Sequence, residues 1–189
     1  AVIVTKGPAI ETTGLMSAYF PEFLDDAFGL EFTRRARDVY YRMSTVKDAR
    51  IAAAVGGVTA MHDATEGGVF GGLYEIASHS RVGMILHKDL IPLPEEVRLT
   101  CECFRIDPYV AISEGTLLAT ADPSAAPRVV TALEREGIPA AIVGEILSEE
   151  RGMLIEEAGR TRPLEHPKTD PFWRRFEEYL NLSRERRGK

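Results

Sequence analysis

The chain has 189 residues, 44% of them hydrophobic and 28% charged, the balance of a globular protein of one domain with a real core. Its 23 basic and 29 acidic side chains give a net charge of −6, which argues against a duplex nucleic-acid binder, and no stretch approaches the roughly 20 apolar residues of a membrane-spanning helix. Two cysteines, Cys101 and Cys103, lie two positions apart and cannot build a disulfide framework, so a reducing cytoplasm is the expected location.

Val2-Ile3-Val4 is a β-branched run entered at the first residues and predicts a strand. A strand this early fits either processing at the terminus or, as the sharper reading, the C-terminal part of a longer protein cut at a domain boundary. Lys6 to Gly14 reads as a Gly- and Thr-rich connection and residues 15–20 as a short helical turn. Phe23 to Tyr41 has helical spacing broken at Gly29. Ser44-Thr45 offers an N-cap to a helix over about 46–55, which Gly56-Gly57 ends.

Val58 to His62 predicts a strand running into Asp63-Ala64-Thr65-Glu66-Gly67-Gly68, after which Val69, Leu73, Ile76 and Ala77 predict a helix ending near Ser80. Val82 to His87 is another strand, and Leu93-Pro94-Glu95-Glu96 opens a helix whose buried stripe is Val97, Cys101 and Phe104. Thr116 to Ala121 is an apolar strand, and Asp122-Pro123-Ser124 leads into a helix stopped by Gly137. Ala140–Ile146 and Met153–Ile155 read as two closing strands around a turn at 149–152. From Thr161 a linker leads to a helix begun by Asp170-Pro171, with Phe172, Phe176 and Leu180 on one face. Arg174, Arg175, Arg184, Arg186 and Arg187 decorate it; residues 168–189 hold seven basic against four acidic side chains. The expected fold is therefore α+β, a mixed sheet with helices packed on it, over residues 1–160, followed by a linker and amphipathic helix over 161–189.

The segment between Asp63 and Gly68 carries the chemistry. A helix start presents unpaired N–H groups and partial positive charge, which suits phosphate, and paired glycines let a ligand approach the backbone. Asp63 is a candidate ligand for Mg²⁺ or a substrate hydroxyl; Thr65 is a candidate donor to a phosphate oxygen. The plainer reading is that Asp63 or Thr65 caps the helix and the glycines make a tight turn. Glu66 stands just before the glycines and would repel a phosphate unless a metal intervened. Gly71-Gly72 inside the helix costs about 1 kcal/mol each against Ala, so close packing or ligand approach must compensate. The spacing is neither a Walker A loop nor a dinucleotide fingerprint. Cys101 reads as core, since a lone Cys-x-Cys lacks a second ligand pair for zinc.

Met61 to Val69, followed by Leu73-Tyr74-Glu75-Ile76-Ala77, resembles the Asp-x-Thr-x-Gly-Gly segment of the AIR synthase (aminoimidazole ribonucleotide synthase) C-terminal domain, which the hydrogenase expression/formation protein HypE shares. Val2–Gly7, Asp107–Leu117 and Gly137–Ile146 agree with that family in the same order, so the resemblance covers roughly residues 1–157. It implies the C-terminal half of a two-domain, dimeric enzyme that uses ATP and Mg²⁺ to activate a carbonyl-type oxygen by phosphorylation. The N-terminal domain, which nothing in this chain resembles, would supply most ATP and metal ligands and the dimer surface. Asp63 would be catalytic and the possible Mg²⁺ ligand at the cleft, and Thr65, Gly67, Gly68, Lys6 and Glu114 would line it beside a phosphorylated substrate or nucleotide. For Lys6 the plain reading, a loop residue at a sheet end that needs no function, is the favoured one, and Glu114 is equally well explained as part of a turn. HypE ends in a cysteine that receives the carbamoyl group, whereas this chain ends Arg186-Arg187-Gly188-Lys189. The alternative is a stand-alone, non-catalytic domain that binds a phosphorylated metabolite or a protein partner.

Overall fold

The structure, a computed structural model, describes residues 1–188; Lys189 and the side chain of Arg187, two of the tail's expected basic groups, lie outside the described residues. Strand β1 (Val2–Thr5) leads into α1, which spans Ile10–Tyr19 rather than the single turn its sequence suggests. Pro21 opens α2 (Pro21–Phe28), and Gly29, at φ +84°, separates it from α3 (Leu30–Asp38), the break expected at that glycine. In α4 (Val46–Val55) Thr45 makes no cap; the Ser44 hydroxyl instead accepts from the Val46 N–H at 3.4 Å. Then follow β2 (Val58–Asp63), α5 (Gly68–Ser80), β3 (Gly83–His87), α6 (Glu95–Phe104), β4 (Leu117–Ala121), α7 (Ala126–Arg135) and β5 (Ala140–Leu147). The chain closes with β6 (Met153–Glu157), β7 (Arg160–Pro163) and α8 (Pro171–Arg187). Residues 161–163, expected as linker, thus belong to a seventh strand.

The strands form one mixed sheet in the order β2-β4-β1-β5-β3-β6-β7, antiparallel except where β3 meets β6. Both expected closing strands form, as β5 and β6. β5 and β6 are not neighbours; β3 lies between them, antiparallel to β5 and parallel to β6. The turn at 149–152 therefore carries the chain across the start of β3, where the Met84 N–H donates to the Gly152 carbonyl.

Alternation along β1 shows how the layers are filled. Val2 and Val4 enter one core with Val69, Leu73, Met84, Leu86 and Leu118, beneath α5. Ile3, between them, enters a second core with Ala119, Val129 and Leu133, beneath α4 and α7. A third core joins α1, α2, α3 and α6 through Met16, Phe20, Leu24, Phe32 and Phe104. Phe172 of α8 belongs to it at 1% exposure, and Phe176 packs tilted on Phe20 and Tyr179 edge-to-face on Phe104, with ring centroids 5.1 and 4.7 Å apart. The apolar face of the basic helix is thus packed against the rest of the chain.

Candidate functional site

The loop after β2 is built by its backbone. The Ala64 N–H donates to the Thr116 carbonyl at 2.9 Å, the Gly68 N–H to the Thr65 carbonyl at 3.0 Å and the Phe70 N–H to the Tyr109 carbonyl at 3.0 Å. Gly67 (φ +79°) and Gly68 (φ +62°) take left-handed conformations that glycine reaches without steric cost. A Cβ at Gly68 would lie 2.6 Å from the Ala111 carbonyl oxygen, so the glycine also permits α5 to start against the 109–111 segment. Inside α5, a Cβ on Gly72 would lie 2.5 Å from a Leu118 methyl. Close packing of α5 on β4 accounts for that glycine.

The loops that end β1 and β2 and precede β4 are joined here. The Thr116 hydroxyl donates to the Gly7 carbonyl and shares a hydrogen bond with Ser113, while the Thr116 carbonyl holds Ala64. Asp63 pairs opposite Leu117, and Val4 opposite Leu118, so Thr5 lies two strand spacings from Asp63, about 10 Å. Lys6, Asp63, Thr65, Gly67, Gly68 and Glu114 therefore stand at one end of the sheet, in different states. The Asp63 side chain is 54% exposed, and among the described residues its one polar side-chain partner is His62 Nδ1, at 3.4 Å. Neither Asp63 nor Thr65 caps α5. Lys6 is 7% exposed, its ammonium enclosed by Asp48 Oδ1 at 2.9 Å and the carbonyls of Ser44 (3.0 Å) and Arg42 (3.2 Å). Burial pushes its pKa below the usual lysine value, against the opposing pull of Asp48. Asp48, 2% exposed, also accepts from the Thr5 hydroxyl at 2.9 Å. Lys6 is thus spent on holding the start of α4. Glu114 is half-buried, and one of its carboxylate oxygens is enclosed with no hydrogen-bond partner among the described residues.

Residues outside the motif complete the site. The Asp170 carboxylate accepts from the Gly67 N–H at 3.0 Å and, with its other oxygen, from the Phe172 N–H at 2.9 Å, so one side chain caps α8 and answers the start of α5. Burial raises its pKa, with the backbone amides of Phe172, Gly67 and Ile112 pulling the other way. Glu66 accepts from the Trp173 indole N–H at 3.2 Å. Glu75 on α5 takes His62 Nε2 at 2.7 Å and His166 Nε2 at 3.5 Å, and the His62 hydrogen bond in particular holds its carboxyl below the ordinary range. His166 also meets the Tyr74 ring edge-on at 5.3 Å. Sequence signals reached Asp170 only as a helix start. Its second partner lies 103 residues away, and no local pattern encodes it.

Among the described residues no group of three or more His, Cys, Asp or Glu side chains is placed to hold a metal ion. Mg²⁺ is ordinarily held by one or two carboxylates together with substrate phosphates, so Asp63 fits as a single carboxylate toward a phosphate-borne ion. Among the described residues no helix is long and apolar enough to cross a membrane.

Residues 1–156 match the family described as AIR synthase related protein, C-terminal domain. A carbamoyl dehydratase HypE from Rhizobium leguminosarum bv. viciae is 35% identical over 102 residues, 53% of this chain and 29% of its own length. The crystal structure of E. coli HypE, a hydrogenase maturation protein, superposes with a TM-score of 0.68 at 21% identity, covering 90% of this chain and 50% of that one. A structure of the hydrogenase maturation protein HypE in complex with ATP gives a TM-score of 0.62 at 23% identity, covering 90% of this chain and 52% of that one. At these identities the solved structures establish a shared fold, and the chain spans about half their length.

Proposed function

Because the chain belongs to the AIR synthase related C-terminal-domain family, we propose that it is the C-terminal domain of an ATP-dependent enzyme that activates a carbonyl-type oxygen by phosphorylation. The relatives' name, carbamoyl dehydratase, points to a carbamoyl group as the substrate class. The observation that carries this reading is the joining of the family-like stretches, Val2–Gly7, the Asp63–Gly68 loop and Asp107–Leu117, through Thr116 at one end of the sheet. ATP and Mg²⁺ are bound mainly by an N-terminal partner domain, which also forms the dimer. This chain closes the cleft, with Asp63 reaching a phosphate-borne Mg²⁺ or the substrate and the Thr65–Gly68 backbone meeting phosphate oxygens. Glu114 stands at the same end of the sheet, and Lys6 shapes the rim through its bond to Asp48. In the complete protein, Asp63→Ala is expected to abolish nucleotide-dependent turnover while the circular-dichroism spectrum stays unchanged. Unchanged turnover would refute the assignment.

One observation favours a second reading, a non-catalytic domain that binds a phosphorylated metabolite or a protein partner: the Gly67 amide is already answered within the chain. Turnover that depends on no residue of this domain, with ligand binding retained, would select it.

A further inference from the structure

Residues 164–172 form a span buried at both ends and exposed in the middle. Leu164 is 4% exposed, and its N–H is bonded to the Met153 carbonyl at the sheet edge. Phe172 is sealed in the aromatic cluster of α1, α6 and α8. Glu165, His166, Lys168 and Thr169 between these anchors are exposed, and Pro167 and Asp170 are partly so. This span crosses the start of α5. Pro167 carbons would lie 3.8 Å from a Cβ on Gly67, His166 reaches Glu75, and Asp170 accepts the Gly67 N–H. Just past the span, Trp173 holds Glu66. The stretch that matches the family ends at residue 156, so the span lies outside it.

The chemistry at its centre is specific. A carboxylate placed on the backbone amide at a helix start supplies the charge and the acceptor that an incoming phosphate oxygen would supply. Two more early amides are answered within the chain, Gly68 by Thr65 and Phe70 by Tyr109. Among the described residues no cation is bonded to Asp170; its hydrogen bonds come from backbone N–H groups, and Glu66 lies near enough to oppose its charge.

We propose that residues 164–172 are a strap whose Asp170 carboxylate occupies the place of a ligand phosphate at Gly67, so that anions enter the Asp63–Gly68 loop only when Asp170 turns away. This rests on the reading of that loop as a phosphate contact, and adds its regulation. Opening does not require α8 to undock, because Phe172, Phe176 and Tyr179 hold the helix independently of its cap. A closed strap lowers apparent anion affinity by the fraction of molecules that are open.

The test is an NMR titration of the 189-residue chain with inorganic pyrophosphate, following the Gly67 and Gly68 amides, in wild type, Asp170→Asn and Asp170→Ser. Asn and Ser both keep an acceptor for the Phe172 N–H, so α8 stays capped, but neither brings a charge to Gly67. The proposal expects faster hydrogen exchange at Gly67 in both variants and an apparent Kd lower by about tenfold or more. Equal Kd values in all three proteins would overturn the strap and leave the phosphate reading standing. No binding by any of them, with the Gly67 amide exchanging freely, would overturn both.

Discussion

Asp48 and Asp170 are both drawn into the protein beside the loops that end β1 and β2, yet they are answered in opposite ways. Asp48 meets an ammonium and a hydroxyl, Lys6 and Thr5, in a corner where all three side chains are buried. Asp170 meets two backbone N–H groups, and its pKa is raised, mainly by desolvation. A buried charge matched by an opposite charge has no replacement from solvent and acts as structure. A charge held by helix-start dipoles can be exchanged for another anion, because those dipoles do not distinguish a carboxylate from a phosphate oxygen. The first corner fixes the frame of the sheet end, and the second is the part of it that can change.

The largest effect expected from this contrast is at Asp48. Asp48→Ala leaves the Lys6 ammonium buried without its partner and should cost about 3–5 kcal/mol, read as a shifted midpoint in urea unfolding. Replacing both residues by apolar ones of similar volume should recover most of that loss. A single variant losing under about 1 kcal/mol would erase the distinction between the two corners.

Asp170→Ala removes a helix cap and one acceptor and should cost only about 1 kcal/mol. Its signature is local: hydrogen exchange should quicken at Gly67 and Phe172 while the aromatic cluster around Phe104 keeps its protection. Exchange that quickens throughout α8 would mean that the cap, and not the rings, holds the helix.

Glu75 falls between these cases, since its partners His62 and His166 are titratable and its side chain is 38% exposed. Its carboxyl is depressed in the folded state, first by the His62 hydrogen bond. The stability it adds is therefore present above the unfolded value and disappears as the pH falls below the ordinary 4.5 through the folded value. Solvent screening keeps this to about 0.5 kcal/mol or less. Acid unfolding of Glu75→Gln against wild type reads it; parallel curves would show that the histidines do not engage the carboxylate.

Much of this architecture was legible locally. Gly29 split a helix and Gly56 ended one because their conformations interrupt the helical ladder. The stripe of Val97, Cys101 and Phe104 predicted the buried face of α6 from its spacing alone. The loop from Asp63 to Gly68 was legible for the same reason, as a strand end, paired glycines and a helical period contiguous in the chain. The pairing of the two closing strands was not legible, because two apolar strands around a turn look alike whether they pair with each other or flank a third. The insertion of β3 is decided by cores on both faces of the sheet. Lys6 looked like a loop cation and proved buried, since Asp48 arrives from a helix more than forty residues away.

The sequence by itself determined the α+β class, most of the elements and the family to which residues 1–156 belong, because these follow from period, punctuation and contiguous motif. Only the tertiary structure decided the strand order, the burial of Lys6 against Asp48 and the seating of Asp170 on Gly67. Apart from the local β6–β7 pairing, each of these joins groups 42 or more positions apart, where specificity comes from burial and dipole geometry, which leave no periodic trace in the chain.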